Sequence, residues 1–75
     1  MRLILVRHGR AGRRDDWHGP DKLRPLEARG RRQAERLVGV LAPLGPVRIV
    51  SSPYRRCLET VGPVAAHLGL EVEQT

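Results

Sequence analysis

Arg7, His8 and Gly9 stand directly after the apolar run Leu3-Ile4-Leu5-Val6. A neutral imidazole is a good nucleophile and can carry a phosphoryl group covalently. A guanidinium beside it grips the non-bridging phosphate oxygens bidentately and neutralises the charge that builds during transfer. In this pairing His8 would attack and Arg7 would hold. Further along, the apolar run Val47 to Val50 leads into Ser51-Ser52-Pro53-Tyr54-Arg55-Arg56, which brings more guanidinium groups to the end of a second apolar segment.

Residues 3–6 form a short, continuously apolar run, the pattern of a strand buried on both faces. From about Glu27 to Leu44, Ala34, Leu37, Val38, Leu41 and Leu44 recur at three- and four-residue spacing, with Arg31, Arg32, Glu35 and Arg36 on the other side. This predicts an amphipathic helix, which Gly45-Pro46 stops. A second strand is expected over 47–50, and a second helix from Tyr54 to about Leu68, bent near Pro63 and ended by Gly69. Leu70 to Val72 would begin a third strand. Strand, helix, strand, helix, strand implies an α/β fold with crossovers and a parallel sheet, whose ligands gather at the carboxyl ends of the strands. Arg7, His8 and the Ser51-Ser52 turn all fall at that edge.

Between the first expected strand and helix lie 19 residues, Arg7 to Pro25, far more than the roughly 2 to 6 of an ordinary connection. Asp15, Asp16, Trp17, His18 and Asp21 in this loop could form a lid over a bound phosphate, with Trp17 as apolar anchor. The plainer alternative is a surface loop with Trp17 tucked against the helix.

Arg7-His8-Gly9, then Arg24-Pro25-Leu26 ahead of Gly30 and Gln33-Ala34, then Ser51-Ser52-Pro53 with Arg56 and Thr60, follow one another as in the histidine phosphatase superfamily, also called phosphoglycerate mutase-like. The chain resembles that family from about Leu3 to Leu70. Arg10-Ala11 after the triplet looks like the compact SixA-type phosphohistidine phosphatases. Asp15-Asp16-Trp17 and Gly19-Pro20-Asp21 resemble the phosphatase half of certain bacterial Nudix-hydrolase fusions. The resemblance implies a three-layer parallel-sheet sandwich, of which this chain holds a β-α-β-α-β portion. It implies hydrolysis of a phosphomonoester or phosphohistidine, with His8 catalytic and Arg7, His8 and Arg56 binding the phosphate. Consecutive helical residues point about 100° apart, so Arg55 is expected outside the pocket. Gly9, Arg10, Trp17 and Asp21 are candidate loop contacts. Glu27 replaces the Ser or Thr that caps the first helix in many members, which predicts a weaker cap.

Family members also use a second, later His and, in many cases, a mid-chain acid that protonates the leaving group. Only His18 and His67 remain here, and neither follows a late strand. Residues 1–75 are therefore read as the N-terminal half of one catalytic domain, and a piece that binds phosphate or a partner without turnover is the alternative function. The implied partners are a phosphorylated small molecule or a phosphohistidine protein, with no membrane.

The chain has 75 residues and a net charge of +6, and 13 of its 14 basic residues are Arg. That balance attracts anions, phosphorylated ligands and nucleic acid alike. Gly9-Arg10-Ala11-Gly12 satisfies the GXXG pattern that clamps a nucleic-acid backbone between two helices, but here it follows an expected strand, and Trp17 and Tyr54 are the only large aromatics available for stacking. A nucleic-acid module is the lesser alternative. The single cysteine, Cys57, cannot form an internal disulfide, which fits a cytoplasmic setting, and it is expected to pack as a small buried hydrophobe. The first apolar run is too short for a secretory or membrane segment. The three His and one Cys lack ligand-like spacing, so neither metal nor cofactor is expected.

Overall fold

The structure, a computed structural model, describes residues 4–75. Helix α1 spans Ala28–Leu41, strand β1 Ile49–Ser51, helix α2 Arg55–Leu68 and strand β2 Val72–Gln74. Short 3-10 turns occupy Arg14–Asp16, Asp21–Leu23 and Ala42–Leu44. β1 and β2 pair in parallel, Ile49 opposite Val72 and Ser51 opposite Gln74, with α2 as the crossover between them. Both helices pack on each other, and α2 also packs on the sheet.

Both expected helices and the second and third expected strands recur with shifted ends. α1 begins after Glu27, whose side chain makes no capping bond. Glu27 instead pairs with Arg10. The helix tightens into the 3-10 turn at Ala42, where Pro43 follows and an α-helical N–H would be missing. α2 runs through Pro63 and ends at Gly69, whose φ of 68° lies in the left-handed region. The Leu70 N–H then reaches Ala65 O at 2.9 Å and the Gly69 N–H reaches Ala66 O at 3.3 Å, so two otherwise unpaired helix-end carbonyls are satisfied.

Ile49, Val64 and Ala65 are buried at the centre, with Val38, Leu41, Val61, Leu68, Leu70 and Val72 packed around them. Leu26 and Val64 are each 1% exposed, and full burial of such a side chain stabilises by roughly 2 kcal/mol. An exposed ion pair such as Arg48–Glu73 contributes less than about 1 kcal/mol, so packing between the helices and the sheet dominates. Cys57 is half-buried rather than buried.

Of the first expected strand, 3–6, the described residues form no ladder. Leu3 lies outside the described residues. Ile4 to Val6 join no ladder, and Ile4, Leu5 and Val6 stay 39%, 88% and 38% exposed. A strand of this composition is stabilised by hydrogen-bonded neighbours and by cover on both faces. Among the described residues nothing supplies either.

Candidate active site

The segment after Val6 is held against both helices by its own backbone. The Gly9 N–H donates to Thr60 Oγ1 at 2.9 Å, and the Thr60 hydroxyl donates to Arg56 O at 2.7 Å. Thr60 is 2% exposed, so the bond fixes the loop to α2 in a dry setting, where an unmade bond is costly. On the α1 side, the Arg10 N–H donates to Gln33 Oε1 at 2.8 Å, and Arg10 O accepts the Glu27 N–H at 2.9 Å. A bridge from Ala11 to the buried Leu26 and a Leu26 N–H to Glu59 Oε1 bond of 2.8 Å complete the attachment.

Two glycines allow this approach. A Cβ on Gly9 would lie 2.8 Å from Gly30 O, and a Cβ on Gly30 would lie 2.1 Å from Arg10 O. The loop backbone and the first turn of α1 are in direct contact, which no larger residue permits without displacement.

So anchored, the loop presents an open cleft lined by Arg7, His8, Gly9, Arg10, Ala11, Arg24 and Gln33. His8 is half-buried and Arg7 exposed. His8 Nδ1 lies 2.7 Å from Gly9 O. A carbonyl oxygen only accepts, so Nδ1 carries the proton and the neutral ring has its lone pair on Nε2. That is the tautomer a nucleophilic imidazole needs, held by the neighbouring peptide.

The expected pocket residues are distributed as follows. Arg7, His8, Gly9 and Arg10 share the cleft, and Arg24 joins them. Arg56 is turned inward with its side chain 13% exposed, but it is not among the cleft's lining residues. Its Nη1 donates to Asp21 O at 3.0 Å and its Nη2 to Asp21 Oδ2 at 3.1 Å. Asp21 Oδ1 accepts from Arg24 Nε at 2.9 Å, and Arg24 Nη1 donates to Gly12 O. These bonds hold the Asp21 carboxyl below its ordinary range, the Arg24 bond most, with burial opposing and Arg56 adding to the lowering. Arg55 is exposed and pairs with Glu59 at 3.1 Å. Trp17 donates from Nε1 to Pro20 O at 2.9 Å and is absent from the cleft wall, so its anchoring is within the loop.

Sequence reasoning did not single out Arg24 and Gln33 as cleft residues, nor Glu59 and Thr60 as supports, although Arg24, Gln33 and Thr60 belong to the motifs that carried the resemblance. Their positions ahead of and within the helices were the available signal. The GXXG reading is corrected: Gly9 to Gly12 joins no pair of helices, and both backbone groups of Arg10 are engaged, so this loop has no free backbone clamp. Among the described residues no three or more His, Cys, Asp or Glu side chains cluster as metal ligands, and no helix is long and apolar enough to cross a membrane.

A cleft with an oriented imidazole among guanidinium groups beside an α/β core is an arrangement that can bind and attack a phosphoryl group. The chain belongs to the histidine phosphatase superfamily (branch 1), whose family model matches residues 3–75. It is 44% identical over 66 residues to the 8-oxo-(d)GTP phosphatase of Mycolicibacterium smegmatis, a match that covers 88% of this chain and 20% of that protein. The protein histidine phosphatase SixA, solved with tungstate, superposes with a TM-score of 0.71 at 25% identity over 91% of this chain and 44% of its own. Mycobacterial glucosyl-3-phosphoglycerate phosphatase, solved with inorganic phosphate, gives a TM-score of 0.73 at 31% identity, covering 91% of this chain and 31% of its own. These solved relatives carry the phosphoglycerate mutase-like fold, and the chain is an α/β portion of it with a parallel sheet. It spans less than half the length of each of these three relatives.

Proposed function

We propose that these residues form the nucleophile-bearing part of a phosphatase that hydrolyses a phosphomonoester or a phosphohistidine through a phosphohistidine intermediate on His8. The observation that carries the reading is the His8 Nδ1–H bond to Gly9 O, which in the neutral ring places the lone pair on Nε2, with His8 in a cleft walled by Arg7, Arg10 and Arg24. The substrates named for the relatives, a nucleotide, a glucosylated phosphoglycerate and protein phosphohistidine, share the phosphoryl group as the common recognition element.

In the first step the Nε2 lone pair forms a bond to phosphorus while the bond from phosphorus to the leaving group breaks, and the leaving group takes up a proton. In the second, water attacks phosphorus, the N–P bond breaks and inorganic phosphate departs. Arg7 and Arg24 neutralise the equatorial oxygens in both steps. Arg56 is included as a phosphate ligand because its buried Nε has no partner, and an unpaired buried donor is costly unless a ligand fills it.

A second reading, a piece that binds phosphate without turnover, is favoured by one observation. His18 and His67 are both exposed and neither lines the cleft. Incubation with phosphohistidine or a small phosphomonoester, with inorganic phosphate as the readout, separates the two. Release that His8→Ala abolishes supports the phosphatase; phosphate binding without release supports the second.

A further inference from the structure

The loop from Arg7 to Pro25 carries one acidic residue with a placement unlike the others. Asp15 and Asp16 are exposed in a 3-10 turn. Asp21 instead sits between a guanidinium of the cleft wall, Arg24, and one on α2, Arg56, and takes both on the two oxygens of a single carboxylate. Its backbone carbonyl takes the second terminal nitrogen of Arg56 at 3.0 Å, so Asp21 grips that guanidinium by its Nη1–Nη2 end. The guanidinium carbon lies over the Tyr54 ring, 4.8 Å from its centroid, a cation–π contact that further restrains the group.

A guanidinium has five N–H donors in a rigid fork. With the terminal end on Asp21 and one face on Tyr54, the edge formed by Nε and the neighbouring Nη remains. Nε is buried and has no hydrogen-bond partner. A side chain that is fastened this firmly yet leaves its most directional edge unfilled is oriented for an acceptor with two oxygens. Arg24 is fastened at a different edge, Nε on Asp21 and Nη1 on Gly12 O, which leaves Nη2, and the residue itself stands in the wall of the His8 cleft.

We propose that Asp21 is a positioning residue that holds Arg24 and Arg56 so that both guanidinium groups meet one phosphate beside His8. The inference rests on the phosphate-binding reading above. It adds that the long loop sets the geometry of a side chain on α2 from 35 positions away in the chain, and that the acid acts through the arginines rather than on the substrate. A carboxylate so close to the anion would repel it if free. Shared between Arg24 and Arg56, with Arg14 Nη2 further off at 3.8 Å, it leaves the surroundings net positive while removing the freedom of Arg24 and Arg56 to turn away, an ordering cost otherwise met at binding.

The test is a titration of the full chain with inorganic phosphate, followed by the side-chain Nε–H resonances of the arginines. In the parent protein the Arg24 and Arg56 signals should both shift and should report one shared Kd. In Asp21→Asn, folded as judged by its circular dichroism, phosphate should bind on the order of tenfold more weakly, the effect of losing an oriented charge-assisted bond. The Arg56 signal should lose its response, and Asp21→Glu should recover part of the affinity because it keeps the charge. A merely structural staple would lower the thermal midpoint and leave Kd unchanged, so equal affinity in folded Asp21→Asn overturns the proposal. Response of only one of the two arginines in the parent overturns it without any variant. A parent chain that binds no phosphate at all overturns the proposed function itself, and the parent titration tells that failure apart from the others.

Discussion

Gly9 and Gly30 meet backbone to backbone, so that a Cβ placed on Gly9 would sit 2.8 Å from the carbonyl oxygen of Gly30. The contact seats the loop that carries His8 on the first turn of α1, close to Gln33 one turn later, whose Oε1 accepts the Arg10 N–H. Gly30→Ala places a methyl 2.1 Å from Arg10 O, a backbone atom that cannot swing aside. Overpacking of this kind costs about 1–3 kcal/mol. Urea unfolding should show a loss in that range, and phosphate affinity should fall because Arg10 and Gln33 separate. Gly39→Ala, where a Cβ meets nothing within 4 Å, should be neutral or slightly stabilising, since alanine is the better helix former.

Thr60 is the attachment on the other side. Thr60→Val keeps the shape and removes the acceptor of the Gly9 N–H. Leaving a buried donor unpaired costs about 1–3 kcal/mol, and Thr60→Ser, which keeps the hydroxyl, should lose less. Denaturant midpoints of the two variants measure the difference. A Thr60→Val protein as stable as the parent would show that the Gly9 bond contributes nothing.

Arg55 and Arg56 are neighbours with opposite surroundings. Arg55→Ala removes an exposed pair with Glu59 and should change stability by less than about 0.5 kcal/mol, with phosphate affinity unchanged. Arg56→Ala removes a side chain 13% exposed that holds Asp21, and phosphate binding should fall by at least about tenfold, one charge-assisted contact's worth. Parallel phosphate titrations of the two variants check the contrast.

Acid should loosen the loop before it unfolds the core. Asp21 and Glu73 both have their carboxyl pKa lowered, Asp21 chiefly by its bond from Arg24 and Glu73 by its bond from Arg48. A lowered folded value means that the unfolded chain binds more protons in the interval below the ordinary carboxylate range. The associated stability is present above that range and is lost as pH falls through the folded values. Thermal midpoints should therefore hold steady from neutrality down to the ordinary carboxylate range and fall below it. Asp21→Asn should flatten the acid limb, and an unchanged slope in that variant would contradict the assignment.

The two helices and the crossover were legible because their information is local. Ala34, Val38 and Leu41 repeat at helical spacing, and Gly69 ends α2 where a left-handed residue is needed. The strand expected at Ile4 to Val6 was not legible in the same sense, because an apolar run becomes a strand only when distant segments pair with it. The fastening of Arg56 to Asp21 escaped for a related reason. Helical periodicity sets Arg56 and Arg55 about 100° apart around the axis, but it carries no information about which carboxylate a guanidinium meets across a loop of 3-10 turns. Residue type alone makes His8 and Arg7 candidates for the proposed chemistry. The tautomer of His8 depends on a bond to the next peptide that no residue pattern encodes.

The most direct measurement of the central claim is the site of phosphorylation. Rapid quenching of the chain with a phosphohistidine or small phosphomonoester substrate, followed by mapping of the linkage, should find an acid-labile phosphoryl group on Nε2 of His8 that vanishes in His8→Ala. A label on another residue, or one that persists in His8→Ala, would contradict the account.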